Sequence, residues 1–151
     1  MIAIEPETNT MQIFTHTIEF STKGYTDIID LTSRIRQALA ETGLQEGQVT
    51  VFAIGSTTGV STVEYEPGLV GHDIENMLEQ IAPYGKNYEH NKTWGDDNGA
   101  AHLRSTLVGT SYAVPFTDGQ LLLGTWQQVI FIDFDTRPRQ RRVVLQFVGL
   151  S

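Results

Sequence analysis

From Gln12 to Phe20 the side chains alternate. Ile13, Thr15, Thr17 and Glu19 fall on one face, and Phe14, His16, Ile18 and Phe20 on the other. A period of two predicts a strand. His16 shares the more apolar face, where a lone histidine reads as a structural residue. The period then lengthens. Ile28, Leu31, Ile35 and Leu39 recur every three or four residues, which predicts a helix over Thr26–Ala40. Thr26 would cap it, Asp27 and Asp30 would sit in its first turn, and Gly43 would end it. Gln48–Ile54 reads as a buried strand and Val60–Glu66 as another, separated by Gly55-Ser-Thr-Thr-Gly59. Ile74, Met77, Leu78 and Ile81 form the apolar face of a second helix, His72–Ile81, stopped by Pro83. His72 reads as a cap or a solvated residue at its start. A long polar connection follows, and then a short helix, Asn98–Ser105, with Asn98 as its cap. Leu107–Val114, Leu121–Leu123, Gln127–Phe134 and Arg142–Val148 read as strands, with turns at Asp118-Gly119 and Asp135–Pro138. Helices come early and strands late, so the pattern predicts an α+β domain over residues 12–151. Residues 1–11 show no apolar period and read as an N-terminal arm.

Composition narrows the classes of function. The chain has 151 residues, 40% of them hydrophobic and 19% charged, which is enough for one domain with its own core. It lacks cysteine, so disulfides, thiolate ligands and cysteine nucleophiles are excluded. No long apolar run or signal-peptide pattern occurs, so no membrane partner is expected and the cytoplasm is the expected location. The net charge of −8 argues against nucleic acid as a partner. The charge is uneven: residues 1–80 carry 3 basic and 12 acidic side chains, the remainder 7 and 6. Arg137, Arg139, Arg141 and Arg142 lie close together and read either as an anion site or as a solvated turn of paired arginines.

The candidate chemistry concentrates between Tyr88 and His102. This stretch holds two of the four histidines, His90 and His102, together with Asp96, Asp97, Asn98 and Trp94. His90, Asp97 and His102 have the donor atoms for a divalent metal such as Zn, Mg or Mn, and would leave open positions on it. Their spacing matches no recognised ligand signature. The same residues also support metal-free chemistry, with His90 or His102 as acid or base and Asp97 or Glu64 fixing the tautomer. Asp96-Asp97 fits a magnesium–diphosphate contact, or equally a turn that leads into the next helix. Arg104 or the Arg137–Arg142 group would hold a phosphate. Trp94, Trp126 or Tyr88 would stack on a ring, although Trp126, beside a strand, is expected in the core. No phosphate-binding glycine loop occurs, because Gly55-Ser-Thr-Thr-Gly59 lacks the lysine such loops carry. No hydrolase elbow occurs either.

Several motifs share one order with a known family. They are Gly59 and Glu64; Tyr88-Glu-His90; Gly95-Asp-Asp-Asn98-Gly-Ala-Ala-His102-Leu; Ser105-Thr-Leu-Val-Gly109; Pro115; Leu123-Gly-Thr-Trp-Gln127; and Pro138-Arg-Gln-Arg141. Across residues 12–149 the chain resembles uncharacterised protein family 0047, the YjbQ-like proteins, whose members carry the name secondary thiamine-phosphate synthase. The resemblance implies a compact α+β fold, a homotrimer, a polar pocket around the histidines, and thiamine-phosphate synthase activity on phosphorylated small molecules. On that reading His102, His90 and Glu64 are the catalytic candidates. Asn98, Arg104, Trp126, Gln127 and Arg139 are the substrate-binding candidates. The chain also departs from the family. Gly55-Ser-Thr-Thr-Gly59 stands where relatives carry His-Thr-Ser-Ala-Gly, and Val63 replaces an asparagine. A pocket histidine is therefore missing. That motivates an alternative, a non-catalytic module that binds a phosphorylated metabolite or a metal.

Overall fold

The computed structural model describes residues 9–151. Most of the expected N-terminal arm, residues 1–11, lies outside that range. The strands are β1 (Gln12–Thr22), β2 (Asp27–Asp30), β3 (Glu46–Ala53), β4 (Thr58–Val63), β5 (Ser111–Thr117), β6 (Gln120–Leu121), β7 (Gln128–Asp133) and β8 (Arg139–Leu150). The helices are α1 (Thr32–Thr42), α2 (Ile74–Ile81), α3 (Glu89–Trp94) and α4 (Gly99–Val108), and a wide helical turn, Leu69–Asp73, leads into α2. The strands form two antiparallel sheets, ordered β1-β8-β3-β5-β6 and β2-β7-β4. The α+β class is as expected.

β7 explains the layering. It is the central strand of the small sheet, and its residues from Val129 to Asp133 are all buried. Val129 and Phe131 pack into the main core with Leu31, Ile35 and Leu39, the inner residues of β3 and β8, and Val114 and Phe116 of β5. Ile130 and Ile132 face the other way, into a smaller core with Ile28, Leu78, Ala101 and Phe134. A strand buried on both faces needs apolar residues at every position, which is why Val129–Ile132 is an unbroken apolar run.

Four expected elements are corrected, and so is the setting of His16. The predicted helix over Thr26–Ala40 is a strand, β2, followed by α1. Ile28 and Leu31 satisfy a helical spacing, but Ile28 belongs to the smaller core and Leu31 to the main one. Tyr25 and Thr26 have φ values of 51° and 63°, a turn conformation that cannot cap a helix. The first helical amide, Thr32 N, donates to Asp30 Oδ1 at 2.8 Å instead. The predicted strand Leu107–Val114 starts late, at Ser111, because α4 runs on to Val108 and Gly109 then turns the chain with φ 86°. The polar connection before Asn98 contains a short helix, α3. Leu121–Leu123 shortens to the two-residue β6. The expected turn at Asp118-Gly119 is a hairpin with both residues at positive φ, 49° and 67°, as a two-residue loop of this kind requires. His16, expected in a structural setting, is exposed on β1, which is an edge strand.

Candidate functional site

The site is built where α3 meets α4. Gly95, at φ 70°, ends α3 and lets the chain reverse. α4 then packs against α3 so closely that a Cβ on Gly99 would lie 2.7 Å from Tyr88 Cβ and 2.8 Å from Asn91 Oδ1. Only glycine permits that approach. The approach brings the rings of His90 and His102, which are 12 residues apart, to 4.4 Å between centroids, tilted by 58°. Both line a cavity of about 250 Å³ with Tyr88, Glu89, Gly99 and Leu103.

Asn98 precedes α4, but its side chain makes no capping bond. Asn91 of α3 supplies the cap, its Oδ1 accepting from Gly99 N at 3.0 Å. Asn98 is thereby free to face His90. With Oδ1 toward the ring it accepts from His90 Nε2 at 3.1 Å, while its nitrogen donates to Asp135 Oδ1 at 3.3 Å. Turned over, its nitrogen donates to His90 Nε2 at 3.1 Å and to the Asp96 carboxylate at 3.3 Å. The first orientation needs a proton on Nε2 and the second needs Nε2 bare, so the Asn98 amide and the His90 proton are coupled. Asp96 Oδ1 itself lies 3.5 Å from Nε2.

Behind this layer stands a paired set of acids and arginines. Arg141 binds Asp133 through Nε at 2.7 Å and Nη2 at 2.8 Å, and Asp133 is fully buried. Thr22 Oγ1 donates to the same carboxylate at 2.5 Å. Arg139 Nε donates to Asp135 Oδ2 at 2.7 Å. Burial on its own would raise the Asp135 carboxyl. The bonds it accepts from Arg139, the Thr136 amide and Asn98 outweigh that and hold it below the ordinary value of 3.8. By linkage, the lowered folded value gives stability that is complete above 3.8 and is lost as pH falls from there through the folded value. Urea unfolding at about pH 6 and about pH 3 should therefore show a smaller loss on acidification in Asp135→Asn than in the unaltered protein. Equal losses in the two proteins would exclude this role for Asp135.

The sequence candidates separate into four groups, the last being Arg104 alone. His90 and His102 line the cavity, Asn98 joins them through His90, and Arg139 through Asp135. Asp97 turns away from the histidines: its Oδ1 accepts from Thr136 Oγ1 at 2.7 Å and lies 3.6 Å from Arg137 Nη2. The His90, Asp97 and His102 donors do not converge within one chain, and among the described residues no three acidic or histidine side chains form a metal-holding group. Glu64, Trp126 and Gln127 sit elsewhere. β4 pairs with β7 from Thr58↔Asp133 at one end to Val63↔Gln128 at the other. These three candidates are therefore at the far end of the small sheet, roughly 16 Å from the Asp133 end. Gln127 braces a turn there, bonding Gly124 N at 3.0 Å and Thr62 Oγ1 at 3.1 Å. Trp126 is 70% exposed and not in the core, and Trp94 is 77% exposed.

Arg104 is corrected as a phosphate ligand. It is fully buried: its Nε donates to the Ala82 carbonyl at 2.9 Å, and Nη1 to Thr26 Oγ1 at 2.9 Å and Glu75 Oε2 at 2.8 Å, while Nη2 pairs with Glu79. Its guanidinium carbon stacks 3.9 Å from the centre of the Tyr84 ring. Burial pushes the Tyr84 hydroxyl up to about 12. The same Tyr84, through its backbone N–H, is the main reason the Glu79 carboxyl titrates low, with Arg104 adding to it. Arg104 cross-links α2, α4 and the turn before β2.

Asp133 and Asp135 are absent from the sequence candidates, and Arg141 stands there only as one of a cluster. A signal was present. Asp133-x-Asp135 and Arg139-x-Arg141 each repeat with the period of a strand, so both pairs present alternate residues to one face. Arg142 falls on the other face of β8, opposite Glu19 in register.

The model of the family described as UPF0047 protein YjbQ-like matches residues 16–150. The chain belongs to this family. A UPF0047 protein of Archaeoglobus fulgidus is 40% identical over 120 residues, covering 80% of this chain and 90% of that one. A UPF0047 protein of Methanothermobacter thermautotrophicus is 36% identical over 139 residues, covering 92% and 94%. Among solved structures, a YbjQ-like protein of unknown function from Sulfolobus solfataricus superposes with a TM-score of 0.87 at 27% identity, covering 93% of this chain and 99% of that one. A hypothetical protein from Aeropyrum pernix gives 0.83 at 31%, covering 90% and 98%. This YjbQ-like chain has, among its described residues, no helix long and apolar enough to cross a membrane.

Proposed function

We infer that this YjbQ-like protein acts on a phosphorylated small molecule at the His90–His102 cavity, with thiamine-phosphate formation as the reaction to test first. One observation carries the reading: two histidines on successive helices are held ring against ring, and one of them shares a proton-dependent bond with Asn98 and Asp96. Such a group can take or give a proton at a reacting atom. In the proposed reaction a pyrimidine diphosphate loses pyrophosphate and a thiazole nitrogen forms the new carbon–nitrogen bond. The chain's part is to orient the two rings, exclude water and manage protons at His90 Nε2. The homotrimer that the resemblance implies belongs to this reading. The outer face of the large sheet supports it, leaving Phe52 45% and Ile54 43% exposed beside Val144.

The test compares the unaltered protein with His102→Ala, both from a host without its own thiamine-phosphate synthase, with and without added Mg, Mn or Zn. Turnover in the unaltered protein and a loss of at least about a hundredfold in the variant are expected, with the melting temperature nearly unchanged. Equal turnover in both proteins would sink the reading. Dependence on one of the ions would assign it as a cofactor.

A non-catalytic module for a phosphorylated metabolite or metal is the second reading. It is favoured by the pairing of Arg139 and Arg141 with Asp135 and Asp133, which leaves little uncompensated positive charge for a departing diphosphate. Saturable binding without turnover is its expected result.

A further inference from the structure

Gly55-Ser-Thr-Thr-Gly59 takes no part in the histidine cavity, and it lacks the lysine of a phosphate loop. It packs against Arg141, whose Nη2 donates to Thr57 Oγ1 at 2.9 Å. Nε and Nη2 of Arg141 are taken up by Asp133 and Thr57, whereas Nη1 makes no hydrogen bond among the described residues. A side chain at position 55 would begin 3.4 Å from that Nη1 and 3.4 Å from Thr58 Oγ1. Thr58 is 1% exposed, and its hydroxyl is buried with no partner among the described residues. Buried hydroxyls are as a rule paired, and an unpaired one calls for an explanation. Gly55 is not among the glycines with positive φ, so its backbone accepts any residue. A Cβ there would sit in contact with Arg141 and Thr58, and glycine leaves that position unfilled.

We propose that the Gly55 turn is an oxyanion subsite in which a phosphoryl oxygen of the ligand accepts from Arg141 Nη1 and, as the turn gives way to it, from the buried Thr58 Oγ1. The proposal rests on the reading that the protein takes a phosphorylated small molecule, and it assigns the phosphoryl end. The turn connects to the histidines: Arg141 Nη2 lies 3.6 Å from Asp135, which bonds Asn98, which faces His90. Asp133 compensates the charge of Arg141, so the subsite recognises its ligand by directed donors rather than by excess charge. It suits a single phosphoryl group better than a polyanion.

The experiment is a titration of the isotope-labelled protein with inorganic phosphate, followed by NMR, against chloride at matched ionic strength. Saturable shifts are expected at the Gly55 and Thr58 amides with phosphate and not with chloride. Thr58→Val removes the hydroxyl at nearly constant shape, and Gly55→Leu fills the subsite. Each should weaken phosphate binding by about tenfold or more. Thr58→Val should melt no lower than the unaltered protein, because the hydroxyl it loses is unpaired. Shifts that chloride reproduces, or binding that neither variant weakens, would overturn the proposal. Shifts at His90 and His102 without Gly55 would overturn the subsite and leave the cavity reading intact. Phosphate binding at Gly55 in a protein that makes no thiamine phosphate would uphold the subsite and remove the thiamine-phosphate reaction.

Discussion

Replacing Arg104 with leucine should lower the unfolding free energy by about 3–5 kcal/mol, the cost of breaking a buried charged network from one side. The side chain is fully buried, and its loss strands the Thr26 hydroxyl and the Ala82 carbonyl while opening a void beside Tyr84. Glu75 and Glu79 retain 33% and 40% side-chain exposure, so water can reach them, and the cost falls mainly on the void and the stranded groups. For a domain of this size the melting temperature should fall by roughly 6–20 °C. Lysine should not rescue it, because one ammonium cannot serve the carbonyl, the hydroxyl and two carboxylates that the guanidinium fork reaches together. Chemical denaturation of Arg104→Leu and Arg104→Lys checks this. A loss below about 1 kcal/mol in the leucine variant would show that the network contributes little.

Arg141→Leu should cost a similar amount, about 3–5 kcal/mol, for a different reason. Asp133 is fully buried and takes two bonds from Arg141, so removing the guanidinium leaves a carboxylate in the interior with only Thr22 Oγ1 and a backbone amide to hold it. The double variant Asp133→Asn with Arg141→Leu should recover part of the loss, since the stranded charge is gone. A double variant less stable than Arg141→Leu would mean that the carboxylate is held by something other than the arginine. The Arg141 variant should also disturb the cavity, because the Asp133–Asp135 end of β7 sets where Asn98 stands.

Arg141 and Arg104 are not equally legible in the sequence. Arg141 follows Arg139 by two on a strand opposite an Asp-x-Asp pair, and the period of two is enough to suggest a ladder of ion pairs. Arg104 lies two residues after His102, and sequence proximity made it a natural phosphate ligand for the same pocket. On a helix, two residues apart means faces about 200° apart, so His102 and Arg104 look in opposite directions. The same local logic misread Thr26–Ala40. Its apolar spacing fits a helix, yet Ile28 and Leu31 serve two different cores, a distinction that exists only once β7 has separated them. Trp126 was expected inside because it borders a strand, but it falls in the turn before β7.

The sequence by itself determined the α+β class, most of the strands, the family, and the residue types of the site, because each of these is written in local periods, turn residues and ordered motifs. The tertiary structure alone decided which of those residues meet. It brought His90 to His102 through the close approach that Gly99 permits. It gave the cap of α4 to Asn91 and so released Asn98. It turned Asp97 toward Thr136 and set Glu64, Trp126 and Gln127 at the other end of the small sheet. Such pairings join positions distant along the chain, and they are fixed by packing between elements, which no local pattern records.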